Sequence, residues 1–141
     1  MLVDTEGNLL ALLVTDAHVS DREGALLLLR LYRAAYPDLV HMWGDSHYGG
    51  DLIDEAQAQY GLTLEPVRKA AGQKGFVLLP RRWVVERTFG WLMRCRRLVR
   101  DYERDPAYSE AWVQLAMIHR SLKYLDPAQP EVRPYQRRQA A

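Results

Sequence analysis

The sequence predicts an α/β fold, with a mixed sheet flanked by helices. Two observations predict it. Short apolar runs of strand length, bounded by turn residues, alternate with stretches of helical periodicity. The helical stretches also carry their own start signals, a capping box at one and proline at the first turn of two others. The 141 residues, 48% hydrophobic and 26% charged, suit a single domain with one core.

The elements follow in order. Met1 to Asp4 reads as a short strand of a hairpin, turned by "TEGN". Asn8 to Thr15, "NLLALLVT", is continuously apolar, as expected of a strand covered on both faces. Ser20 with Glu23 three residues on forms a capping box and opens a helix to about Ala35, which Pro37 stops. Leu39 to Trp43 is a second buried strand, broken at Gly44. Asp51 to Tyr60 is a short helix ended by Gly61. Leu62 to Val67 alternates like a strand, and Pro66 places it at an edge or an end. Residues 68–75 form a basic, glycine-containing loop. Pro80 opens a helix predicted over 80–103, with Val85, Phe89 and Leu92 at helical spacing docking it on the sheet. Trp83 is expected in the core. Asp105-Pro106 opens a last helix to residue 124, striped by Tyr108, Trp112, Leu115, His119 and Leu122. The final residues, 125–141, rich in Pro, Gln and Arg, read as a disordered tail.

Composition narrows the function. Residues 1–66 hold three arginines against eleven acids, whereas residues 67–141 hold sixteen lysines and arginines against seven acids. That asymmetry suggests a polyanionic partner for the second half, although the two halves are also free to attract each other. One cysteine, Cys95, excludes an internal disulfide framework and fits a reducing cytoplasm. No apolar run approaches the roughly 20 residues of a membrane span, and no signal peptide is evident.

Three carboxylates stand out: Asp4 at the end of the first strand, Asp45 just past the second buried strand, and Glu86 alone among the seven arginines of "LPRRWVVERTFGWLMRCRRLVR". In an open α/β sheet, ligands bind beyond strand ends. Carboxylates brought together there repel unless a cation lies between them, and hard oxygen ligands suit Mg²⁺ or Mn²⁺. Each acid also has an ordinary reading. Asp4 is a turn residue, Asp45 caps the next segment, and Glu86 pairs with Arg82 or a neighbouring arginine. Spacing alone does not choose between these.

"LPRRWVVERTFGWLMRCRRLVRDYE" resembles the catalytic-glutamate segment of transposases from bacterial insertion sequences, specifically insertion sequence family 5. "VDTEGNLLALLVTDAHVSDREGA" resembles the first-aspartate segment of that family, and "HMWGDSHYGGDL" the second, with Asp45, Tyr48 and Gly50 in the pattern. The resemblance covers about residues 2–124. It implies an RNase H-like fold, a catalytic domain over residues 1–124, and an Asp-Asp-Glu triad of Asp4, Asp45 and Glu86 holding two Mg²⁺ or Mn²⁺ ions. It implies double-stranded DNA as partner, both transposon ends and target, with Arg82, Arg87, Arg94, Arg97 and Arg100 on phosphates. The expected activity is metal-dependent cleavage and strand transfer at insertion-sequence ends, in the cytoplasm at the nucleoid. The family's Tyr-Arg-Glu-Lys signature is kept at Arg82 and Glu86, but Leu79 stands at the tyrosine position and Met93 at the lysine position. His47 is expected as a loop histidine beside Asp45.

In the family a helical DNA-binding region precedes the first aspartate, and the first strand is longer than "MLV". The resemblance therefore implies an N-terminally truncated catalytic part, acting as a homodimer or with an upstream split-frame part. The alternative is a non-catalytic DNA-binding remnant or an inhibitory partner of full-length transposase. A basic α/β nucleic-acid-binding module of another kind is the third reading.

Overall fold

The computed structural model describes residues 1–68 and 79–125. Strands β1 (Leu2–Val3) and β2 (Leu9–Ala11) form the expected hairpin. Helix α1 (Asp21–Tyr32) continues as a 3₁₀ turn, Arg33–Ala35. Strand β3 (His41–Gly44) follows, then α2 (Asp51–Tyr60), β4 (Thr63–Pro66), α3 (Pro80–Leu92) and α4 (Pro106–Leu125). The fold is mixed α/β, as predicted. Among the described residues, however, the strands form two separate two-stranded sheets instead of one mixed sheet. The hairpin is antiparallel, and β3 and β4 run parallel in register from His41 opposite Thr63 to Gly44 opposite Pro66. Pro66, which has no N–H to donate, ends β4, as its chemistry requires.

Local signals explain most boundaries. The Ser20 hydroxyl accepts from the Glu23 amide at 3.2 Å, closing the N-terminus of α1. Gly61 takes the left-handed conformation, φ 61°, that ends α2. Asp105 accepts from the Ala107 amide at 3.0 Å, and Pro106 stands first in α4.

Two elements are shorter than predicted. The Asn8–Thr15 run is laddered only over Leu9–Ala11, because β1 offers two residues and the register slips by one at Leu10. The rest of the run is held by side chains. The Tyr36 hydroxyl donates to the Leu10 carbonyl at 2.6 Å, Tyr32 to that of Leu12 at 2.9 Å, and the Val14 amide donates to Glu110 at 2.8 Å. Helix α3 ends at Leu92, not 103, and the chain leaves it in tight turns (Cys95 N–H to Leu92 O, Leu98 N–H to Cys95 O). Arg94, Arg97 and Arg100 follow one another at i,i+3, and Arg96 and Arg100 at i,i+4; a continued helix would stack these like charges on one face.

The buried core lies between α1, α2 and the parallel pair: Leu29, Leu52, Ala56, Leu62 and Leu64, with Leu52, Ala56 and Leu62 fully buried. Helix α3 joins this core less deeply than expected. Leu92 is buried, but Phe89 is 52% exposed and Trp83 is 40% exposed, so Trp83 is not a core residue. The basic loop falls mostly, and the C-terminal tail almost wholly, outside the described residues.

Candidate active site

A cleft of about 320 Å³ opens between the two sheets, and α3 forms one of its walls. Its polar lining comprises Asp45, Tyr48, Arg81, Arg82 and Glu86. Asp45 is there because β3 ends at Gly44 and the chain turns at once, the Tyr48 amide donating to the Asp45 carbonyl at 3.2 Å. The turn is close-packed, since a Cβ on Gly44 would stand 3.0 Å from the Tyr48 ring. The Asp45 carboxylate accepts from the His47 amide at 2.8 Å and faces His47 Nδ1 at 3.2 Å. His47 itself is well exposed, a loop histidine as expected. Burial, and then the charges of Asp21 and Asp45, push the Tyr48 hydroxyl above its ordinary pKa, so it stays a donor at the cleft.

Glu86 reaches the same cleft from α3. Arg82, one turn earlier, stands 3.6 Å from its carboxylate, with both groups open to solvent. Such a pair adds little stability, which leaves Glu86 free to take another partner. Arg81 lies with its guanidinium 4.2 Å from the centroid of Trp43, whose indole donates to Glu65 at 3.1 Å. Sequence reading passed over Arg81. Its signal was its place beside Arg82 in the first turn of the helix that carries Glu86.

Asp4 is placed differently. Its backbone neighbours Leu2 and Val3 line the cleft, but its side chain is folded into the hairpin turn. One oxygen accepts from the amides of Glu6 and Asn8, both at 2.8 Å, and the other from the Asn8 side chain at 2.8 Å. Burial alone would raise this carboxyl. The bonds from Asn8, Glu6 and Gly7 outweigh it and hold the pKa below its ordinary value. The structure thus brings Asp45 and Glu86 to one cleft and leaves Asp4 engaged in its own turn.

The arginines divide in the same way. Arg87 donates to the Glu6 carbonyl at 2.7 Å and lies between the rings of Trp83 and Trp91, 4.9 Å from each centroid. Arg97 pairs with Glu103 at 3.0 Å and stacks on Trp112. Arg94 and Arg100 are exposed and form no ion pair among the described residues.

Asp45 and Glu86 offer the hard oxygens that Mg²⁺ or Mn²⁺ prefers. Mg²⁺ is commonly held by one or two carboxylates together with substrate phosphates, and the chemistry of this donor pair is of that kind. It is not a preformed cage: no three Asp, Glu, His or Cys side chains are grouped to hold an ion among the described residues.

Asp45 just past the end of β3, Glu86 on α3, and Arg81 and Arg82 thus line one cleft. The family model of the transposase DDE domain matches residues 1–120, and the chain belongs to that family. A transposase domain implies DNA as substrate and a function in transposition. Comparison with curated proteins and with solved structures found no match. Among the described residues no helix is long and apolar enough to cross a membrane.

Proposed function

We propose that this chain is the DNA-cutting and strand-joining part of an insertion-sequence transposase, with Asp45 and Glu86 as the acids at its centre. The observation that carries this reading is the shared cleft of Asp45 and Glu86, with Arg81 and Arg82 beside them in a chain of the transposase DDE domain family. Asp45 and Glu86 would hold a divalent ion, which when bound supplies charge neutralisation at the phosphodiester. Arg81 and Arg82 bind the phosphate oxygens and fix the strand. The Tyr48 hydroxyl, kept protonated, donates a hydrogen bond to a bound oxygen. His47 orients the Asp45 carboxylate. Asp4 serves by shaping the hairpin that packs on α3. Arg94 and Arg100, outside the cleft, hold the flanking duplex.

The test is a strand-transfer and nicking assay with Mn²⁺ and a pre-cut insertion-sequence end. Asp45→Asn and Glu86→Gln are each expected to lose roughly 10²-fold or more in rate, as for removal of a group that stabilises the transition state. Asp4→Asn is expected to keep its rate per folded molecule. If Asp4→Asn is folded yet as slow as the other two, Asp4 belongs with Asp45 and Glu86 as a third ligand. If Glu86→Gln cuts and joins DNA as well as the parent chain, the proposed site is wrong. A chain that binds DNA but shows no activity in any form favours the non-catalytic reading.

A further inference from the structure

We propose that the outward face of α4 is a dimerisation seam, occupied by α4 of a second copy of this chain running antiparallel to it. The helix has two faces. Ser109, Val113, Ala116, Met117 and Arg120 turn inward, with Ser109 and Met117 buried. On the other side Tyr108, Ala111, Leu115, Ile118, Leu122 and Leu125 are all exposed, the large ones by 55–76%. These six follow one another at alternating steps of three and four residues. That is the heptad alternation whose a and d positions meet a partner helix. A helix that packs only on its own domain carries one apolar stripe. Here α4 carries a second, and the outward one is the more apolar.

Charge, shape and area favour a second copy as the occupant. The flanking positions, which set partner choice in such seams, hold Trp112, Gln114, His119 and Ser121. None is a carboxylate, an ammonium or a guanidinium, so the face neither repels its own copy nor selects an oppositely charged stranger. In the antiparallel register centred between Leu115 and Ile118, Leu115 meets the partner's Ile118, Ala111 the partner's Leu122 and Tyr108 the partner's Leu125. A leucine thus fills the space over Ala111, whereas a parallel pairing sets Ala111 against itself and leaves a void. The antiparallel pair is self-complementary and closes on two copies. The five large side chains expose on the order of 600 Å², and the flanking residues bring the face near the roughly 800 Å² per partner of a standard interface. Ile118 and Leu122 also wall a groove of about 400 Å³ against Leu10, Leu12 and Tyr32, which gives the contact depth. Because α4 is already folded on its own chain, the pairing escapes the ordering cost that leaves isolated short helices marginal. The seam shares no residue with the cleft of Asp45 and Glu86 and does not depend on the catalytic reading.

The experiment is sedimentation of the 141-residue chain across a dilution series, with circular dichroism to follow folding. A monomer–dimer equilibrium is expected. Ile118→Lys and Leu115→Glu, both at exposed positions, should each raise the dissociation constant roughly tenfold or more, since each buries a charge without a partner. Helix content should not change in either. Mixed in equal amounts, the two variants should associate again, because the register sets the glutamate of one against the lysine of the other. Leu31→Lys, at a 60% exposed apolar position of α1, should leave the dissociation constant where it was. A monomer at every concentration overturns the proposal. So does a dimer that survives Ile118→Lys, one lost equally to Leu31→Lys, growth beyond two copies, or a mixture of the two variants that stays monomeric.

Discussion

Gly7 and Thr88 show how much of this fold rests on single atoms. Gly7 has φ 87°, and a Cβ there would stand 2.7 Å from Thr88 Oγ1 and 2.8 Å from the Trp91 ring. Thr88 is fully buried, and its hydroxyl lies 3.0 Å from the Gly7 carbonyl and 3.1 Å from that of Val84. This contact fastens the hairpin turn to α3. Gly7→Ala is expected to cost about 1–2 kcal/mol for the backbone alone, with the steric clash added. Thr88→Val should cost about 1 kcal/mol, the worth of a lost buried hydrogen bond. Chemical denaturation of both variants checks these values. Asp4 adds a pH signature to the same turn. Its folded pKa lies below the ordinary 3.8, so its contribution is fully present above about that pH and declines as the pH falls through the lower folded value. Asp4→Asn should remove that part of the acid sensitivity, read as a flatter stability curve in acid. The turn itself was legible in "TEGN", and so was the place of Asp4 in it. Motif resemblance favoured a ligand role, and the hydrogen bonds that commit the side chain to the turn cannot be read from spacing.

The elements divide by how local their causes are. Helices α1, α2 and α4 were legible because caps and glycine stops are short-range, written in Ser20, Gly61 and Asp105. The length of α3 was not, because its apolar spacing is set against an arginine repulsion that acts only if the helix continues. The basic stretch also looked uniform in sequence, and the fold separates it into two classes. Arg87 and Arg97 are committed within the chain, whereas Arg94 and Arg100 face solvent. Reversing Arg94 and Arg100 to glutamate should reduce the slope of log affinity for duplex DNA against log salt by about 0.9 for each phosphate contact removed. Arg87→Ala should leave that slope in place and lower the melting temperature, since it loosens the hairpin from α3. Salt titrations of DNA binding beside thermal melts separate the two classes.

At the scale of the molecule, the sequence announced the mixed α/β class, which follows from where strands end and helices begin, while the grouping of Asp45 with Glu86 was implied by the family resemblance alone. Whether the strands share one sheet depends on long-range pairing, which no short stretch encodes, and here the described strands form two pairs with the cleft between them.

The aromatic–arginine stacks have a consequence of a different kind. All four tryptophans lie beside a guanidinium: Trp43 by Arg81, Trp83 by Arg87, Trp91 by Arg87 and Arg120, and Trp112 by Arg97. Each stack marks a different junction: cleft, hairpin on α3, α3 on α4, and the turns that lead into α4. Indole emission responds to the charge and polarity at the ring. The protein therefore carries its own optical reporters, one at each place where its parts meet, and variants that keep one tryptophan at a time would name the joint that has moved.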